Sequence, residues 1–227
     1  LFFLQKYDPE KIPILLVHGA GGNPVEFEHI IKGLNRDKFQ PWVLFYPSGM
    51  RLGIISKWVS ATISILRVQH KFERLYILAH SMGGLVARDV MNRMIREGGG
   101  QVLQLFVSMS TPWDGHVFAA KGVEQCPVVI PAWYDMAPGS PFIKGLFATP
   151  LPSHLEYNLF FSYRGGWRLT IPGSNDGTVS LRSELFLPAE LSAKKVLGFH
   201  VTHGGILSSP AVMERLNILF EERSKKE

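Results

Sequence analysis

Short, largely apolar runs separated by segments of helical spacing constrain this chain more than any other feature. Residues 14–17 (Ile-Leu-Leu-Val), 41–46, 75–79 and 102–109 each read as a strand. Between them, residues 52–68 and 85–95 carry helical spacing, and Asn23-Pro24 supplies a capping residue followed by proline at a first helical position. Strands that are apolar throughout are buried on both faces, and a crossover helix is how parallel neighbours are joined. The expected fold class is therefore α/β, a doubly wound, mostly parallel sheet forming a single domain over 1–227. With 46% hydrophobic residues in 227, the chain can bury enough apolar surface to offset its ordering entropy. Strands over 167–171 and 194–201 and a helix over 210–222 complete the pattern.

The pattern breaks between Thr111 and about Gly166. Seven prolines (Pro112, Pro127, Pro131, Pro138, Pro141, Pro150 and Pro152) fall there among many aromatics, with no long helical or alternating period. A stretch of that length without a period reads as a cap or lid insertion over 112–166, or else as a rigid packing excursion that covers one sheet edge.

Composition removes several classes of function. No apolar run approaches the roughly 18 residues needed to span a bilayer, and a lone Cys126 excludes an intrachain disulfide framework. The net charge of +5 comes from 24 Lys and Arg residues that are scattered, apart from the Lys225-Lys226 tail, so no nucleic-acid partner is expected. No zinc-type spacing occurs, and no metal site is expected. The chain starts Leu1-Phe2-Phe3-Leu4, without an initiator Met or the basic region and cleavage site of a signal peptide, and so reads as a fragment or processed product.

The most informative residues are Ala79-His80-Ser81-Met82-Gly83-Gly84, between an expected strand and an expected helix. A serine on such a turn needs small residues two before and two after it, because the backbone folds back too closely for larger ones, and its hydroxyl then stands clear of the sheet. Ala79 replaces the usual first glycine of G-x-S-x-G and still meets that steric need. Acyl transfer also needs preset N–H donors around an oxyanion, and His18-Gly19-Ala20-Gly21-Gly22 follows the first long strand. The amides of Ala20 and Met82 are the candidate oxyanion hole. A phosphate-binding loop is the competing reading, weakened by the missing Lys of the P-loop pattern and the lack of an acidic residue suited to a dinucleotide ribose.

A serine nucleophile requires a histidine base and a carboxylate that orients it, following in the order Ser, acid, His on such a fold. Asp176, in Ser174-Asn175-Asp176-Gly177-Thr178, comes 95 residues after Ser81, and His203, in Thr202-His203-Gly204-Gly205, 27 residues after that. Asp114 and Asp135 fall in the presumed cap, Glu184 stands past the loop, and His200 falls within a strand, so Ser81, Asp176 and His203 are the expected catalytic residues. His18 and His80 read as structural. Among the cap aromatics Trp113, Trp133 and Phe142 are expected to bind substrate.

Together the Ser81 elbow, the His18-Gly19 loop, Asn175-Asp176-Gly177-Thr178-Val179 and His203-Gly204-Gly205 resemble the α/β-hydrolase superfamily. The resemblance is closest to bacterial triacylglycerol lipases and esterases and to glycosylphosphatidylinositol inositol-deacylase-like hydrolases, and it covers roughly residues 12–207. Small bacterial lipases share the alanine in the first elbow position. Ser110-Thr111-Pro112-Trp113-Asp114-Gly115 is similar to the segment after the sixth strand in these lipases, where their cap begins, and Pro138-Gly139-Ser140-Pro141-Phe142 resembles a motif of their caps. The opening Phe2-Phe3-Leu4-Gln5-Lys6-Tyr7-Asp8-Pro9 is similar to a stretch preceding the hydrolase domain of larger bacterial envelope proteins, which implies a longer envelope-associated or secreted precursor. The resemblance implies a cofactor-free serine hydrolase of carboxylic esters, with lipid or acyl esters as substrates and contact with a lipid interface. An acyltransferase or thioesterase on the same triad, and a non-catalytic binding protein of this fold, are the alternatives.

Overall fold

Alternation along each central strand sends successive side chains to opposite faces, and that alone divides the core in two. A computed structural model describes residues 1–166, 171 and 173–225 of the chain. Strand β2 (Ile12–Val17) turns Leu15 and Val17 to one face of the sheet and Ile12, Ile14 and Leu16 to the other. Strand β4 (Leu75–His80) divides in the same way, Leu75, Ile77 and Ala79 against Tyr76 and Leu78. Helices α2 (Leu52–His70) and α3 (Met82–Arg96) cover the first face, and α9 (Pro210–Ser224) packs Val212, Leu216, Leu219 and Phe220 on the second, beside Ile30 of α1 (Glu28–Gly33).

Seven strands form one sheet in the order β1-β3-β2-β4-β5-β6-β7, with β1 (Phe2–Phe3) antiparallel to β3 (Phe39–Leu44) and every other pair parallel. The remaining strands are β5 (Leu103–Met109), β6 (Glu156–Ser162) and β7 (Lys195–Phe199). This is the doubly wound α/β arrangement that the sequence pattern implies. Strand β6 falls inside the proline-rich segment expected to be a cap, so the excursion from the sheet occupies 112–155 rather than extending to 166. Of the strand expected over 167–171, all but Ile171 lies outside the described residues.

Three short helices, α4 (Val117–Gln125), α5 (Pro131–Met136) and α6 (Pro141–Leu146), make up the excursion. It is tied to the body at several points. Asp135, buried on α5, accepts the Leu52 N–H at 2.6 Å, so the first turn of α2 is capped from outside, and Arg51 Nη2 meets the same carboxylate at 2.7 Å. Arg88 and Asn92 of α3, both buried, donate to the Leu146 carbonyl, and Arg88 also reaches that of Thr149. Because Asp135→Ala leaves a buried helix N–H without an acceptor, it should destabilise the protein by about 1–3 kcal/mol. Urea unfolding measures this, and an unchanged midpoint would mean that α2 does not depend on the excursion for its cap.

Candidate active site

The C-terminal ends of the central parallel strands bring the expected residues together. Ser81 follows β4 directly and precedes α3, with φ +55° and ψ −131°, a backbone region that non-glycine residues occupy only under constraint. Its N–H is held by the Met109 carbonyl at 2.9 Å. Close packing enforces the small neighbours: a Cβ on Gly83 would stand 2.3 Å from the Val17 carbonyl oxygen, and one on Gly19 would stand 2.9 Å from Ser81 Cβ.

His203 Nε2 lies 2.9 Å from Ser81 Oγ, and His203 Nδ1 lies 2.5 Å from Asp176 Oδ2. Asp176 is fully buried. Its Oδ1 accepts the amides of Thr178 (2.9 Å) and Val179 (2.7 Å), its Oδ2 also accepts the Ser162 hydroxyl (2.9 Å), and its carbonyl accepts the His203 N–H (3.0 Å). Burial alone would raise the Asp176 carboxyl, but the bonded His203 ring and the two amides outweigh it and hold the group below the usual carboxylate range. Asp176 is therefore an anion aimed at the imidazole edge opposite Ser81.

Of the oxyanion candidates, Met82 opens α3 immediately after Ser81, where helix N–H groups have no intrahelical acceptor. Ala20 lies with Gly19 on the wall of the cavity in front of Ser81. The loop bearing it is fixed by Gly21, at φ +66°, whose N–H donates to Ser48 Oγ at 2.8 Å.

That cavity has a volume of about 280 Å³. Ser81 and His203 form its floor, and Phe118, Ala119, Trp133 and Met136 from the excursion form an apolar wall. Of the three aromatics expected to bind substrate, Trp133 lines it. Trp113 is instead in the core, 1% exposed and edge-on to Phe106, Phe147 and Tyr157. Phe142 packs against the same core from α6 and does not line the cavity. The ring density that marks this segment in the sequence serves mostly to pack the excursion onto the sheet.

Two histidines expected to be structural hold the site's frame. His18 donates from Nδ1 to the Gly19 carbonyl at 2.8 Å and stacks on Tyr46, whose hydroxyl donates to the His18 carbonyl at 2.5 Å. His80 is buried, with Nε2 3.0 Å from the His203 carbonyl and Nδ1 3.3 Å from Glu26 Oε2. Burial lowers the His80 ring below its ordinary value, with Glu26 pulling the other way. Glu26 and His116 were not expected here. The Asn23 cap places Glu26 by reciprocal bonds, and His116 bonds the Thr178 carbonyl at 2.8 Å; both line the cavity. A capping box around Asn23 was the available sign of Glu26, whereas His116 is joined to Thr178 across 62 residues by the fold alone. Among the described residues, no group of three or more His, Cys, Asp or Glu side chains is placed to hold a metal ion.

The fold has many solved relatives. The Listeria innocua lin2722 gene product aligns over 96% of both chains at 18% identity and a TM-score of 0.69. Bacillus licheniformis lipase BlEst2 in mature form aligns over 93% of both at 16% identity and a TM-score of 0.70. The metagenomic carboxyl esterase MGS0156 aligns over 97% of this chain and 77% of its own at 14% identity and a TM-score of 0.66. At these identities the likeness is one of fold, the α/β-hydrolase fold. No curated protein matches the chain by sequence. The sequence pattern of the family described as "Putative serine esterase (DUF676)" matches residues 9–140, more than half of the chain, so the protein belongs to that family.

Proposed function

We propose that this protein is a serine hydrolase that cleaves carboxylic esters of acyl or lipid type through an acyl-enzyme on Ser81. The observation that carries the reading is the unbroken series Ser81 Oγ, His203 Nε2, His203 Nδ1 and Asp176 Oδ2, at 2.9 and 2.5 Å, on the floor of an apolar cavity. His203 takes the Ser81 proton as Oγ attacks the ester carbonyl, the amides of Ala20 and Met82 receive the oxyanion, and the alcohol leaves with the proton from His203. Water then repeats the sequence on the acyl-enzyme, and Asp176 remains ionised throughout, fixing the imidazole tautomer.

The excursion over 112–155 acts as a cap that supplies the acyl-binding wall. A volume of about 280 Å³ is just below the usual run of ligand cavities, roughly 300 to 1,000 Å³. Short and medium acyl chains fit inside it, while a long one extends past Phe118, which is itself exposed, as are Val128, Ile130 and Tyr134 on the same excursion. Those exposed rings and aliphatic groups are what a lipid surface would contact.

The test is a series of p-nitrophenyl esters from acetate to palmitate, with and without detergent micelles, alongside labelling by a fluorophosphonate. Label on Ser81 and turnover that rises with chain length and at the interface are expected. Turnover confined to short soluble esters would remove the lipid assignment, and labelling without turnover on any ester would transfer the site to an acyltransferase.

A further inference from the structure

A second carboxyl group lies behind the first. Glu184, the last residue of α7 (Leu181–Glu184), is 1% exposed and sits beside Asp176 and the Ser110 hydroxyl. Its Oε2 accepts the Ser162 N–H at 3.2 Å, and its Oε1 has no hydrogen-bond partner. Among the described residues no cation pairs with it: Arg182 is exposed, and the titratable groups around the carboxyl pair are Asp176 itself, His203 and His116, with Asp114 half-buried nearby.

Counting protons along the serines shows which donors Glu184 lacks. Ser162 has one hydroxyl proton, and it is donated to Asp176 Oδ2. The 2.6 Å bond between Ser110 Oγ and Ser162 Oγ must then use the Ser110 proton. Ser110 has no second proton to give, so Glu184 Oε1 gains no donor from that side. Ser110 holds φ +48°, a constrained backbone at the end of β5, and its N–H is held by the Phe160 carbonyl at 2.9 Å.

We propose that Glu184 is a positioning residue for the acyl-transfer reaction, a neutral carboxylic acid that accepts the Ser162 N–H and so holds the Ser162 hydroxyl on Asp176 Oδ2, orienting the Asp176 carboxylate toward His203. The proposal rests on the serine-hydrolase reading above. Burial and the Asp176 charge together keep the Glu184 carboxyl well above its ordinary range, in agreement with the proton count. A group raised in this way contributes stability that is complete below the ordinary carboxylate range and is lost as pH rises through its folded value.

Three variants test it. Glu184→Ala removes the acceptor of the Ser162 N–H and should lower kcat by about 10-fold or more, as loss of an outer hydrogen-bond partner does at other sites, with KM within about two-fold. Glu184→Gln keeps a neutral side chain whose oxygen can accept the Ser162 N–H, so kcat should recover to within about three-fold of wild type, with the acid-side midpoint of the kcat/KM profile unmoved. In the infrared, the wild type at neutral pH should show a protonated-carboxyl C=O band that Glu184→Gln lacks, and the Tm of Glu184→Gln should gain on wild type as pH rises above 5. A missing band, a Tm difference independent of pH, or an acid-side midpoint that moves down in Glu184→Gln would mean that Glu184 is an anion and overturns the proposal. Full kcat in Glu184→Ala overturns it as well. Ser81→Ala run beside these separates the two readings: if it stays active, the hydrolase assignment itself fails, whatever the state of Glu184.

Discussion

Ser81→Ala is expected to lower kcat by about 10⁴-fold or more on every ester the protein turns over, with the fold intact. The size of the effect follows from chemistry that no neighbour can replace. Ser81 is the hydroxyl within reach of His203 Nε2, and without it water must attack a carbonyl held only by the amide donors and the cavity wall. Triads lacking their nucleophile retain a residual advantage of about 10³–10⁴ over water from oxyanion stabilisation and binding alone, so measurable background turnover does not contradict the assignment. Stability should change little. Alanine keeps the Cβ that Ser81 already carries at φ +55°, so the backbone strain is the same, and the loss is one partly exposed hydrogen bond, about 1 kcal/mol. A thermal melt within a few degrees of wild type, together with abolished fluorophosphonate labelling, completes the expected result. Near wild-type turnover in a folded Ser81→Ala protein would remove this residue from the mechanism.

What could be read in the sequence was what is enforced locally. The turn at Ser81 needs small residues because the Val17 and His18 carbonyls pass against Gly83, and that requirement leaves a mark within six positions. The glycine loop at Gly19, the strands buried on both faces and the Ser, Asp, His order are local or ordinal in the same sense, and the sheet follows them. Strand β6 was hidden because Glu156, Asn158 and Ser162 interrupt its apolar run and prolines precede it; only its place between β5 and β7 makes it a central strand. Trp113 was misplaced for a related reason. Its ring has the character of a binding residue, but its direction is set by the chain turning after β5 into the core beside Tyr157. Glu184 stands past the Asp176 loop in the sequence, yet α7 folds back so that its carboxyl meets Ser162 at the end of β6. Contacts set by the fold alone, such as the Ser162 N–H on Glu184 across 22 residues, leave no pattern in one sequence.

Asp176→Asn should lower kcat by about 10⁴-fold without unfolding the protein. The direction of the amide is fixed by groups that cannot turn. The Thr178 and Val179 amides donate to the Oδ1 position, so an asparagine places its oxygen there and its NH₂ where Oδ2 meets His203 Nδ1 and Ser162 Oγ. Facing that donor, His203 accepts at Nδ1 and carries its own proton on Nε2, the nitrogen that must be free to take the proton of Ser81. The base is thus present at the right distance in the wrong tautomer, and a positive imidazole has lost the anion that stabilised it. The Ser162 hydroxyl can rotate to accept from the new NH₂, which limits the cost to the fold. Asp176→Ala is different: it strands two backbone amides and the Ser162 hydroxyl in a buried site, and should cost stability as well as turnover. Comparing the two variants by kcat and by urea midpoint separates orientation of His203 from support of the loop. Turnover in Asp176→Asn within about 10-fold of wild type would mean that another carboxylate holds His203, and Glu184, the second carboxyl at this site, would be the residue to replace next.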